Sequence, residues 1–232
     1  MNITEFKSHC LSRKELLLGI CYLLFQALFL PSLLHLCNKL LPTPLPATDV
    51  NLVFFSLNFI SIGVIFRRYL WGQLRRLPEV FWGVIAVAGL GLVAYWVMNF
   101  ILAQALLVLE PAHFSVNDVG VQQLVAQDYW LMFFSTVFLV PVAEECLFRG
   151  ALFRGLYDFS PIGAWVVSVA AFCAIHIINY IGIYPPWTLF LCFIQYIPAG
   201  ICLAGAYRLS GSLICPILLH CLVNFISMML LR

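Results

Sequence analysis

Charge is what this sequence lacks. Asp, Glu, Lys and Arg make up 9% of its 232 residues, while 63% are hydrophobic. Soluble domains carry about 25% charged residues, so a water-soluble globular protein is excluded. The net charge of +2 has no basic cluster behind it, which argues against a nucleic-acid partner. The nine cysteines (Cys10, Cys21, Cys37, Cys146, Cys173, Cys192, Cys202, Cys215 and Cys221) form no CxxC pair. That removes a disulfide framework or structural zinc site and leaves small buried hydrophobes as their reading. The strict apolar–polar alternation of a membrane β-barrel is missing too; the apolar runs are continuous. No small-x-small site follows the first apolar stretch, so no cleavable signal peptide is expected. No internal repeat or low-complexity linker interrupts the chain, and residues 1–232 read as a single transmembrane domain.

What is present is a series of seven apolar segments: Leu16–Leu36, Leu52–Phe66, Phe81–Leu109, Trp130–Leu156, Ile162–Ile181, Trp187–Ala206 and Leu213–Leu231. Each suits a hydrocarbon core of about 30 Å, although the second is short. Prolines punctuate them: Pro42, Pro44 and Pro46, then Pro78, Pro161 and Pro185-Pro186. The expected fold is all-α, a polytopic membrane bundle of about seven transmembrane helices. With the N-terminus in the cytoplasm, Lys7, Arg13, Lys14, Arg67, Arg68, Arg75, Arg76, Arg149, Arg154 and Arg208 fall inside, and only Lys39 and Arg232 outside. That asymmetry orients the chain and puts its C-terminus outside. Tyr69–Leu74, between two Arg pairs, is expected in the inner interface, with Trp71 at headgroup level.

Against this background, Glu144 and Glu145 stand out. One acidic side chain at the centre of a spanning helix costs roughly 2.5–3.5 kcal/mol, and an ionisable residue at depth marks a functional site. Among the few other strongly polar residues on the last four segments are Arg149, His176, Asn179, Gln195, His220 and Asn224. Helical spacing sorts them. Glu145 and Arg149 are four apart and can pair; so are His220 and Asn224. Glu144 lies about 100° round the helix from Glu145. Counting about 1.5 Å per residue puts Glu144 roughly 18 Å, His176 roughly 21 Å and His220 roughly 10 Å from the inner end of each segment, which does not decide whether they meet. Polar side chains in a bundle are often only interhelical glue. Two adjacent carboxylates are too costly for that role alone, whereas a structural ion pair is a serious rival for Glu145 with Arg149. Asn179 and Gln195 read as glue. His35 and His113 lie towards the outer side, away from the constellation. Pro141 removes the backbone bond to Val137 just before Glu144.

Glu144-Glu145-Cys146-Leu147-Phe148-Arg149 fits an EExxxR motif, Phe172-Cys173-Ala174-Ile175-His176 fits FxxxH, and His220-Cys221-Leu222-Val223-Asn224 fits HxxxN. Ordered in this way on apolar segments, they make the chain resemble the CAAX protease and bacteriocin-processing (CPBP, or Abi) family of intramembrane endopeptidases. The resemblance covers Tyr129 to Ser227, and residues 129–227 form the motif-bearing core region. It implies that Glu144 and His176 activate a water and that His220 and Asn224 form an oxyanion hole. The residues themselves can do this chemistry. No Ser, Thr or Cys of the motifs stands as a nucleophile beside a base, so water attack is the better reading, with Glu144 as base and His176 orienting the water. The catalytic set is then Glu144, Glu145, Arg149, His176, His220 and Asn224. Glu144, His176 and His220 also amount to one oxygen and two nitrogens, a set for Zn2+ if the reaction is metal-dependent. An obligatory metal is not expected.

The expected partners are the lipid bilayer and a peptide or membrane-anchored protein substrate. The expected location is a bacterial plasma membrane. Two rival functions stand beside the endopeptidase. One is a non-enzymatic bacteriocin self-immunity or scaffold protein, which would not need the motif side chains. The other is an ion-coupled transporter, which predicts internal repeats that are not seen.

Overall fold

The computed structural model describes residues 11–232. Lys7 of the inner-side tally and Cys10 lie outside the described residues. The described chain is helical, with a lone β-bridge between Ile181 and Tyr184. The helices are α1 (Arg13–Leu28), α2 (Leu30–Lys39), α3 (Ala47–Ile65), α4 (Arg67–Leu109), α5 (Val116–Gln127), α6 (Tyr129–Tyr157), α7 (Pro161–Ile175), α8 (Pro186–Gln195), α9 (Ile197–Ser210) and α10 (Ile214–Leu230).

Among the described residues, four stretches are long and apolar enough to cross a membrane: α3, α4, α6 and α8–α9 taken together. A fifth is made by α1 and α2, bent by 49° where they join, while α7 and α10 are shorter apolar helices. Every apolar segment of the sequence is therefore helical, and the all-α polytopic bundle stands.

Three boundaries differ from the sequence reading. Pro78 does not precede a helix; it lies inside the 43-residue α4, which takes in Tyr69–Leu74 as its first turns. One face explains the continuity. Tyr69, Gln73, Val84 and Ala88 are buried, and Leu77 and Val80 pack beside them. This stripe runs past Pro78, which is itself exposed. Packing along it outweighs the roughly 3 kcal/mol that an interior proline costs. The second difference is α7, which stops at Ile175 rather than Ile181. His176 caps it, a 3-10 turn (Ile178–Tyr180) follows, and Gly182 adopts φ +84°, a left-handed turn conformation that halts any continuation. The third is α5, a helix with no counterpart among the apolar segments.

Polar side chains tie helix ends together. Glu15 accepts from the Ser12 backbone N–H (3.0 Å) and hydroxyl (2.7 Å), closing the start of α1. Its other oxygen accepts from the Tyr69 N–H at 3.3 Å, in the first turn of α4. Gln73 of α4 accepts from the Leu213 N–H at 3.0 Å, at the entry to α10. Each bond occupies an amide that a helix start leaves without an intrahelical partner. The main core lies where α1, α4, α6, α7, α9 and α10 meet, around Phe66, Phe148, Phe153, Phe172, Tyr207 and Leu219. The cysteines divide. Cys146, Cys173, Cys192, Cys202 and Cys215 are buried as expected, but Cys21 and Cys37 are exposed on the apolar faces of α1 and α2.

Candidate active site

Helix α6 presents both glutamates through an unusual backbone. Ser135–Leu139 and Cys146–Phe153 are π-helical, and Val140–Glu145 between them is α-helical. In the first π stretch the Val140 N–H reaches back five residues to the Ser135 carbonyl. The next amide in that register would belong to Pro141, which has none. The carbonyl left over is therefore that of Thr136, not Val137 as α-helical counting predicts. Asn224 of α10 fills the gap, its Nδ2 donating to the Thr136 oxygen at 2.8 Å. Such π stretches recur at functional sites.

Glu145 and Arg149 are fully buried. Glu145 Oε1 accepts from Arg149 Nη1 at 3.0 Å and from His220 Nδ1 at 2.9 Å. Arg149 Nη2 donates to the Gly200 carbonyl of α9 at 3.1 Å, and its guanidinium lies over the Phe172 ring at 4.5 Å. The ion pair is thus buried inside the bundle, and Arg149 is not a surface cation. Gly200 makes this possible, since a Cβ there would come within 2.8 Å of Val169 Cγ1. The Gly200→Ala substitution should push α9 from α7 and lower stability by about 1–3 kcal/mol. Thermal unfolding in detergent measures this, and an unchanged midpoint would refute it.

The two motif histidines are held alike. His176 Nδ1 donates to the Phe172 carbonyl at 2.7 Å, and His220 Nδ1 donates to Glu145. Carbonyl and carboxylate oxygens only accept, so both Nδ1 atoms carry protons and both Nε2 atoms remain for other chemistry. His176, His220 and Asn224 line one cavity of about 80 Å³, walled by Phe172, Tyr196 and Leu219. That is room for a few water molecules. One cavity thus joins His176 and His220, which rise-per-residue counting left at different depths.

Glu144 does not line this cavity. It is half-buried, within reach of the charges of His220, Glu145 and Arg149, and its Oε2 is buried without a protein partner. Among the described residues, no three His, Cys, Asp or Glu side chains are grouped to hold a metal ion. Glu144, His176 and His220 therefore do not form a ready donor set in this geometry.

Asn179 sits exposed on the 3-10 turn. Gln195 ties α8 to α5 and the segment before it. Its Oε1 accepts from His113 Nε2 at 3.1 Å, and its Nε2 donates to Asp118 Oδ2 at 3.2 Å. His35 is exposed. Sequence reasoning missed Tyr196, whose ring stacks on His176 with centroids 4.0 Å apart and planes 21° apart. It also missed α5, although Ser115 and Asp118 have the S-x-x-D spacing that marks a helix start. The Ser115 side chain accepts from the Asp118 N–H.

Residues 126–226 match a protein-family model described as type II CAAX prenyl endopeptidase Rce1-like. No curated protein and no solved structure matches the chain.

Proposed function

Because residues 126–226 match the type II CAAX prenyl endopeptidase Rce1-like family model, we propose that the chain is a member of that family and an integral membrane endopeptidase working by activated water. The observation that carries this reading is the shared cavity of His176, His220 and Asn224, with Glu144, whose Oε2 has no protein partner, within the electrostatic reach of His220.

The step assigns each group one task. Glu144 takes a proton from water as its oxygen bonds to the scissile carbonyl carbon. His176, its Nδ1–H fixed, offers Nε2 to hold that water. The carbonyl π pair moves to oxygen, forming a tetrahedral oxyanion. Asn224 can donate its second Nδ2–H there. His220 can donate from Nε2 only as an imidazolium, whose other N–H Glu145 holds. One such donor is worth about 2.7–4 kcal/mol of barrier. On collapse the C–N bond breaks, and the nitrogen leaves with the proton that Glu144 received. Glu145 and Arg149 position His220 and take no proton.

The substrate class is a peptide or membrane-anchored protein, and the orientation is that of the positive-inside count, with the N-terminus in the cytoplasm. The proposed step needs no metal. Purified protein cleaving a farnesylated peptide with a CAAX end should keep its activity after exhaustive chelation. Loss of activity that zinc restores would overturn the metal-free step.

A further inference from the structure

The cavity has a wall that none of the three motifs contains. Tyr196 sits where α8 gives way to α9 and lies flat on His176. Phe172 also lies against this imidazole, with centroids 4.8 Å apart and planes at 57°. The ring of His176 is therefore in contact with two aromatic rings while its Nδ1 is tied to the Phe172 carbonyl.

The Tyr196 hydroxyl is anchored in turn. It donates to Asp118 Oδ1 at 2.9 Å and accepts from Asn117 Nδ2 at 3.1 Å. Ser115 Oγ lies 3.5 Å away. Asp118 also accepts from Gln195 at 3.2 Å, so one carboxylate grips two consecutive residues at the junction of α8 and α9. Asp118, Asn117 and Ser115 belong to the start of α5, which is not among the candidate spans. Charge-assisted hydrogen bonds of this kind are the stronger, more directional ones.

We propose that Asp118 and Tyr196 are positioning residues for His176, and that α5 reaches the reaction centre through them. This rests on the endopeptidase reading for its kinetic consequence, but not for its geometry. A charged residue outside the candidate spans fixes the hydroxyl, the hydroxyl fixes the ring, and the ring fixes the plane in which Nε2 can meet a water. Loosening any link leaves the histidine present but less well aimed. Misplacement on that scale is felt in kcat more than in substrate binding.

The test is a double-mutant cycle with two readouts, on the full chain in detergent. Tyr196→Phe keeps the ring and removes the tether; Asp118→Ala removes its acceptor. Each should lower kcat on a farnesylated CAAX peptide about tenfold, with KM within about twofold. The double substitution should be no worse than the stronger single one, because both break the same bond. In parallel, the imidazole NMR signals of His176, assigned through His176→Gln, should move towards their unstacked positions in both variants. Additive kinetic effects, or a His176 signal unchanged in both variants, would overturn the proposal. If the wild-type protein cleaves no such peptide, a prenylated CAAX substrate is excluded, and the NMR arm still decides the contact.

Discussion

The Glu144→Gln substitution is expected to cut kcat about 10³-fold, within the range a positioned general base contributes. The amide copies the shape of the carboxylate but takes no proton from water. Stability should hold or rise slightly. The Glu144 Oε2 is buried without a protein partner, so the substitution breaks no bond at that oxygen and removes a buried charge. Cleavage assays paired with thermal unfolding separate the two effects. A folded variant that cleaves at the wild-type rate would remove Glu144 from the reaction. The same variant also divides the functional readings, since a self-immunity or scaffold role would persist without the carboxylate's chemistry.

The largest expected loss of stability is at Arg149. Arg149→Met takes away the cation that faces Glu145 and the donor that serves the Gly200 carbonyl, both fully inside the bundle. Breaking a buried pair from one side costs about 3–5 kcal/mol, because the other charge stays behind. Thermal unfolding in detergent should show it, and an unchanged midpoint would refute it. Arg149→Lys should recover little, because one ammonium lacks the planar fork that serves two acceptors at once. Arg149→Met combined with Glu145→Leu should recover most of the stability, since both charges are gone. Activity should not return with it, because His220 then has no acceptor for its Nδ1–H.

The motif residues were legible for a physical reason. In a chain this apolar, every ionisable side chain at depth is expensive, so the few that exist stand out, and spacing by four puts the members of a pair on one face. Glu145 with Arg149 meets that expectation; Glu144, apart from both, is left with its own oxygen free. What was not legible depends on three dimensions. Helix α4 ignores Pro78 because neighbouring helices hold its opposite face, and no local signal reports that support. Residue counting could not bring His176 and His220 to one cavity, because a count along each helix carries no information on how the helices tilt or where each starts relative to its neighbours. Tyr196 gave no signal because an aromatic residue in an apolar run reads as packing. Its meaning comes from Asp118, 78 positions earlier in the chain.

The unmatched carbonyl of Thr136 has a further consequence for Asn224. A primary amide has two N–H protons, and one is already engaged with helix α6 before any substrate arrives. The side chain therefore cannot exchange its nitrogen and oxygen ends without giving up the bond that joins α10 to α6. Its remaining proton points in one direction only. In the proposed reaction Asn224 would thus be preset rather than induced: a donor whose aim is fixed by helix packing, with little reorientation left to make as charge develops on a carbonyl oxygen.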